Sequence, residues 1–476
     1  MKRHLFFLAA VQFLLLGGTF AGERPHIILV MADDQGWGDM AYNGHPVVDT
    51  PNFDKAAASG IRFDRFYASA PVCSPTRASV LTGRTPNRTG TYNWGHPLRL
   101  EERTLPEMLR EAGYTTGHFG KWHIGSVRRE SASNPGAHGF DRWISAPNFY
   151  ENGATLSDEG RAVTFEGVES SFIAVNPALE WIEKSLQADK PIFAVIWFGS
   201  PHYPHVAADE YAALYPEASK KERNFLGELT GMDRAYGKLR ERLDELGIRE
   251  NTLLWYCSDN GALPGIGRTG GFRGHKGDVY EGGLLVPAIL EWPARFPEHR
   301  IIEARANTYD ILPTVLDAAG IAAPADRPLD GETLMPLLQS ERAERTRPMG
   351  YWHPDRRGIK TPSAKWMAEL KAAQSKGEDL PENPQITAAL ELPDPPETRA
   401  SLGGHATWIE DDWKLHRIAS GKKDEVRIEL YDLAADPHEA NDLAETEPGR
   451  TKTMPARLDL WMDSVVRSAN GEDVRE

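Results

Sequence analysis

Cysteine is almost absent from this chain: 476 residues contain only Cys73 and Cys257. A disulfide framework is thereby excluded, and one bridge is the most that can form. Cys257 ends the apolar run Leu253-Leu254-Trp255-Tyr256, where a buried free thiol is commonplace, so the two cysteines are expected to be unlinked. Positive charge is also in deficit. With 54 Lys and Arg against 69 Asp and Glu, the formal net charge is −15, which excludes general attraction to nucleic acid or to anionic membrane surfaces while leaving room for a local basic pocket. Long apolar runs are missing too. The longest, Leu5 to Leu16, falls short of the roughly 20 residues a spanning helix needs. It follows a basic start (Lys2, Arg3, His4) and precedes small residues at Thr19 and Ala21, so residues 1–21 read as an export signal and the mature chain as starting near Gly22. An exported chain with so few cysteines points to a periplasmic or extracellular location and towards a bacterial source. No internal repeat and no long low-complexity tract is present.

What remains is enough for a large enzyme: 40% hydrophobic and 9% aromatic residues can bury a sizeable core. The pattern alternates strands and helices. His26 to Ala32 is an apolar run, Pro51 opens a helix that stops at Gly60, and Thr104 with Glu107 forms a capping box that opens another. Strands are expected over Tyr114 to Phe119, Pro191 to Phe198, Thr252 to Cys257 and Leu284 to Leu290. Helices are expected around Asn176 to Leu186, Asn224 to Leu246 and Tyr309 to Ala319. This order predicts an α/β fold, a large mostly parallel sheet sandwiched by helices, with its site at the carboxyl ends of the strands. Residues 22–354 read as the catalytic domain. Residues 355–404, rich in Lys, Glu, Pro and Ala, read as an insertion or lid, and 405–476 as a C-terminal subdomain of antiparallel strands and a closing helix.

Chemistry-bearing residues gather where strands end. Cys73-Ser74-Pro75-Thr76-Arg77-Ala78-Ser79-Val80-Leu81-Thr82-Gly83 places a thiol beside a short helix predicted from Pro75 to Thr82, with Arg77 a turn inside; free amides, a dipole end and a guanidinium make an anion site. Asp33 and Asp34 close the first strand, and Asp259 and Asn260 close the strand from Thr252. Three carboxylates and an amide carbonyl form an oxygen cage for a hard cation, calcium first and magnesium second, and suit zinc poorly. Gly120-Lys121-Trp122-His123, Pro201-His202-Tyr203-Pro204-His205 and the glycine-rich turn carrying Lys276 follow other predicted elements. A lone Lys or His in such a place is usually a solvated or satisfied group; several at strand ends of one sheet are not.

The segment from Cys73 to Gly83 resembles the signature of the type I sulfatases, a branch of the alkaline phosphatase superfamily. Gly120-Lys121-Trp122-His123 resembles their second signature, and Tyr431 to Glu439 resembles their C-terminal subdomain, a small antiparallel sheet with a helix. The resemblance implies that Cys73 is converted to formylglycine (3-oxoalanine) by a formylglycine-generating enzyme or an anaerobic maturase, the hydrated aldehyde being the nucleophile. It implies a calcium ion held by Asp33, Asp34, Asp259, Asn260 and position 73. It also implies that Arg77, Lys121 and Lys276 hold the sulfate, that His202 with Lys276 protonates the leaving oxygen, and that His123 serves the remaining hydroxyl. His205 is left between a structural and a substrate-contact role. His353 and Arg356 are candidate contacts to an acidic glycan, beside the plainer reading of an exposed Asp-Arg-Arg turn. Ser145 to Phe149 resembles sulfatases that act on N-acetylgalactosamine 6-sulfate, so the expected partner is a sulfated carbohydrate. Two other readings stay open: a phosphonate or phosphodiester hydrolase of the same superfamily, and a sulfated-glycan binder that has lost turnover.

Overall fold

The structure, a computed structural model, describes residues 24–419 and 426–473. The export signal expected over 1–21 lies outside them. Among the described residues, fifteen strands form two sheets. The large sheet contains β1 (His26–Ala32), β2 (Ile61–Tyr67), β3 (Thr115–Lys121), β4 (Arg142–Ala146), β5 (Thr155–Asp158) and β6 (Arg161–Thr164). It continues with β7 (Ile192–Trp197), β8 (Thr252–Ser258), β9 (Leu285–Glu291), β10 (Arg300–Ile302) and β11 (Ala306–Asn307). Its order is β10-β2-β9-β8-β1-β7-β3-β4-β5-β6, with β11 also on β2.

The central strands are apolar on both faces because both are covered. Along β1, Ile27, Leu29 and Met31 enter one core and Ile28, Val30 and Ala32 the other, so helices pack on either side of the sheet. Phe53, Leu229, Tyr236 and Leu243 from the helices Pro51–Ser59 and Lys220–Glu245 fill the second core. The expected capping box is present: Glu107 Oε2 accepts from the Thr104 backbone N–H at 2.8 Å, opening the helix Leu105–Glu111. Close approach explains Gly120 in β3. Its φ is +103°, and a Cβ there would sit 1.9 Å from the Trp197 carbonyl of β7.

Pairing is parallel among β1, β3, β4, β7 and β8, and antiparallel where β9 enters between β8 and β2. Strands β2, β4, β5 and β6 were not anticipated; their sequences, such as IRFDRFY and TLSD, mix charge with few consecutive apolar residues, as strands towards a sheet edge do.

The small antiparallel sheet is ordered β12 (Met349–His353), β13 (His405–Glu410), β14 (Trp413–Ala419), β15 (Val426–Asp432). Its first strand thus precedes residue 355. The helix Pro448–Ala469 closes it, packing Leu458, Met462 and Val465 on Leu415 and Leu430. Between β12 and β13 lie the helices Ser363–Gln374, Pro384–Leu390 and Arg399–Leu402. Gln374 accepts from the Ala162 N–H of β6 at 3.0 Å and donates to Gly160 O at 2.7 Å, so the first of these helices occupies open hydrogen-bonding groups at the sheet edge.

Candidate active site

Strand directions bring the site together. Strands β1, β3, β7 and β8 run the same way, so Asp33 and Asp34, Lys121 to His123, Ser200 to His202, and Asp259 with Asn260 all emerge at one edge. β2 points the same way, since β9 is antiparallel to both β2 and β8, and Cys73 follows it a few residues later. β9 itself starts at that edge. The loop leading into it therefore delivers Lys276 to the same place.

Cys73 is the first residue of the helix Cys73–Thr82, which stops at Gly83 in the left-handed region (φ 68°). The expected start at Pro75 is two residues late. The opening N–H groups of a helix have no intrahelical partner, so a proline at the third position costs no bond. All ten residues of this helix are buried, Arg77 among them.

Oxygen, sulfur and nitrogen atoms of Asp33, Asp34, Cys73 and His202 lie within 4.8 Å of one another. Cys73 Sγ is 3.8 Å from Asp34 Oδ1, and His202 Nε2 is 3.4 Å from Asp34 Oδ2. Asp259 Oδ1 accepts the Asp34 N–H at 3.0 Å, and Asn260 Nδ2 donates to Asp34 Oδ1 at 2.9 Å. The cations interleave with these acids. Lys121 Nζ donates to both oxygens of Asp33 (2.8 and 2.6 Å), and Lys276 Nζ to Asp34 Oδ2 (2.6 Å). Arg77 Nη2 donates to Asp259 Oδ2 at 2.6 Å and lies 3.8 Å from Asp33, its guanidinium 5.0 Å from the Trp197 ring centroid. The guanidinium expected to face an oxyanion is thus shared with two carboxylates, while its Nε, buried, has no partner.

Burial sets the protonation states. It raises Asp33 to about 7 against the pull of Lys121, with Asp259 and Asp34 adding to the rise. Asp34 is equally buried, but Lys276 and His202 hold it below the usual carboxylate range. The Cys73 thiol is pushed up to about 12. Burial presses His202 down to about 3, opposed by Asp34. His202 Nδ1 donates to the Tyr203 carbonyl at 2.6 Å, which fixes the tautomer and leaves Nε2 facing Asp34. Its ring stacks on Phe149, centroids 4.2 Å apart.

His123 has φ 58°, in the left-handed region, and Asp34 has φ 71°. Such strain in non-glycine residues persists where surroundings over-determine it. For His123 they do: Ser74 Oγ donates to its carbonyl at 2.6 Å, and its Nε2 lies 3.0 Å from Thr361 Oγ1. Its Nδ1 is buried without a partner, and burial, with Lys121 and Arg77 nearby, keeps the ring neutral.

The three candidate glycan contacts are not among the residues of that cluster. His205 is buried, with Nδ1 3.1 Å from Glu228 Oε2. His353 ends β12 with its Nδ1 buried and unpartnered. Arg356 donates to Glu397 Oε2 at 2.5 Å and to the Ser401 carbonyl at 2.6 Å, so it pins segment 355–404 to itself rather than presenting a free guanidinium. Four neighbours of the cluster were given no site role from sequence. Ser74 and Thr361 flank His123, and Asn148 Nδ2 donates to Thr361 Oγ1 at 3.0 Å, with Phe149 next to it. Asn148 and Phe149 lie in the stretch singled out by resemblance, and recognising β4 before them would have placed them at the site edge; Thr361 carries no local signal.

The family model for sulfatases matches residues 25–321, which hold every residue of this cluster. The chain belongs to the sulfatase family. Among the relatives of this sulfatase, the N-acetylgalactosamine-6-sulfatase of Canis lupus familiaris is 33% identical over 378 residues, covering 71% of this chain and 70% of that one. Arylsulfatase A of Homo sapiens is 33% identical over 363 residues, covering 68% and 69%. The crystal structure of Ps i-CgsB in complex with k-i-k-neocarrahexaose superposes with a TM-score of 0.76 at 22% identity over 94% of both chains. At that identity the likeness speaks to the fold, the alkaline-phosphatase-like sheet expected from sequence. This sulfatase is accordingly an enzyme, a hydrolase of sulfate esters. No helix among its described residues is long and apolar enough to cross a membrane.

Proposed function

We propose that this sulfatase hydrolyses a sulfate monoester on a carbohydrate, with position 73 as nucleophile and calcium as the resident cation. The observation that carries the reading is the buried cluster itself: the thiol of Cys73 at a helix start, among Asp33, Asp34 and His202, ringed by Arg77, Lys121 and Lys276. The donor set fits a hard cation. Asn260 Oδ1 is a buried acceptor with no hydrogen-bond partner, beside two fully buried aspartates, and Asp259 completes an oxygen set. Asp33, Asp34, Asp259 and Asn260 would hold the ion. When bound, calcium supplies fixed positive charge to the sulfate, and formylglycine at position 73 supplies the attacking oxygen.

The rest is the work of this chain's own side chains. A sulfate monoester is a tetrahedral anion with weakly basic oxygens, so it needs cationic groups set in place beforehand. Arg77, Lys121 and Lys276 are such groups, each already held by a carboxylate. A sugar alkoxide leaves poorly without a proton. With its neutral-form proton held on Nδ1 by the Tyr203 carbonyl, His202 can give one from Nε2 only after the ring takes up a second proton, and an incoming anion favours that imidazolium against the burial that lowers it; such acid catalysis contributes on the order of 10²- to 10⁴-fold. His123 Nδ1, buried without a partner, can accept the hydroxyl proton that must leave position 73 in the tautomer whose Nε2 donates to Thr361 Oγ1.

The carbohydrate assignment draws on the 33% identical N-acetylgalactosamine-6-sulfatase and on the Ser145–Phe149 stretch, whose Phe149 stacks on His202. The test is sulfate release from nitrophenyl sulfate, a phosphonate monoester control, and sulfated galactose, N-acetylgalactosamine, glucosamine and fucose saccharides. A saccharide is expected to give the highest kcat/KM, because remote contacts position its ester. An aryl sulfate preferred over every saccharide would overturn the assignment.

A further inference from the structure

Tyr203, the residue after His202, is 64% exposed, and among the described residues it is the only aromatic side chain counted with the exposed large hydrophobics. Single exposed apolar residues are ordinary and carry no function by themselves. Tyr203 differs in how firmly its loop is held. Glu228, buried on the helix Lys220–Glu245, uses both carboxylate oxygens on this loop: Oε2 accepts from His205 Nδ1 at 3.1 Å and Oε1 from the Val206 N–H at 2.6 Å. Asn152 Nδ2 donates to the Val206 carbonyl at 2.9 Å from the other side. His205, packed edge-on against Phe225 with centroids 5.1 Å apart, in turn meets the Tyr203 ring edge-on at 5.8 Å. Burying a carboxylate is costly unless its bonds compensate, and here those bonds hold His205 and Val206. The result is an aromatic ring set edge-on against the held His205 and presented to solvent, next in the chain to the imidazole that faces the cluster. A pre-set aromatic side chain has little conformational freedom left to lose on binding, and so binds an amphipathic ring cheaply.

We propose that Tyr203 is the platform for the sugar ring adjoining the sulfated one, and that His205 and Glu228 are its positioning residues. The proposal rests on the carbohydrate reading above and gives His205 a role that its sequence pattern left open. The His202 ring faces the buried Asp34 while Tyr203 is exposed, so a ring on Tyr203 lies outside the position of the ester that His202 serves, which assigns it to the neighbouring sugar.

The experiment takes the saccharide that releases sulfate fastest from the panel, as the free sulfated monosaccharide and at the non-reducing end of a tetrasaccharide, and reads the ratio of the two kcat/KM values. Tyr203→Ala is expected to lower the tetrasaccharide-to-monosaccharide ratio by about fivefold or more, mainly through KM, and Tyr203→Phe to keep it. Glu228→Gln, which loosens His205 while leaving the ring in place, is expected to lower it less. A Tyr203→Ala ratio within twofold of wild type overturns the platform, as does a Tyr203→Phe variant as impaired as Tyr203→Ala, or a Glu228→Gln variant worse than either. Wild-type enzyme that turns over aryl sulfate but no saccharide overturns the carbohydrate reading, and the platform with it.

Discussion

Asn260 donates from Nδ2 to Asp34 Oδ1 across 2.9 Å, while its own Oδ1, equally buried, meets no donor. A buried carbonyl left open costs free energy unless something outside the polypeptide satisfies it. Beside Asp33, Asp34 and Asp259, the proposed calcium would satisfy it. Asp259→Ala is expected to abolish bound calcium and turnover together, since Asp259 also accepts the Asp34 N–H and the Arg77 guanidinium. Elemental analysis of wild type and variant checks this; stoichiometric zinc in the wild type contradicts it.

Any unconverted fraction of Cys73 should be chemically quiet. Burial pushes its thiol up to about 12, so at pH 8 the thiolate, the nucleophilic form, is a minor species. Native protein is expected to resist iodoacetamide at pH 8 at both cysteines and to react only after denaturation. Rapid native alkylation at Cys73 contradicts this placement.

Lys414, fully buried on β14, bridges Glu281 (2.8 Å) and Glu439 (3.1 Å) and so joins the small sheet to the loop that carries Lys276. Removing it takes the shared cation from two buried carboxylates, leaving Glu281 with the Tyr67 hydroxyl and Glu439 with His416 and the Glu281 N–H. Lys414→Ala is expected to lose about 3–5 kcal/mol of stability, read by denaturant unfolding. A loss below about 1 kcal/mol would mean that water reaches the pair.

Arg356→Ala is expected to change saccharide kcat/KM by less than about threefold, because its guanidinium is occupied by Glu397 and Ser401. A larger loss, with unfolding unaltered, would restore it to the substrate-binding surface.

Much of this was legible in the chain because the site is built at strand ends. Runs such as His26 to Ala32 and Thr252 to Ser258 announce buried strands, and the polar residues that close them must then share an edge. The start of β9 at that edge depends on its antiparallel entry beside β8, which no local pattern encodes; Lys276 was placed by its motif instead. Strands β5 and β6 carry too few apolar residues to register, and their covering helix hides their open edge only in three dimensions. Thr361 reaches His123 from a segment more than two hundred residues away, and a single threonine in a Pro-rich stretch gives no warning. His205 shows the converse: its motif was plain, yet its pairing with Glu228 needed the long helix to be in place.

The central claim, that position 73 acts as an oxidised cysteine within this cluster, is tested most directly by mass spectrometry of the tryptic peptide Phe66 to Arg77 from an active, denatured preparation. The account predicts the aldehyde at position 73, in an amount that rises with specific activity across preparations. Fully active enzyme carrying only the unmodified thiol would contradict it.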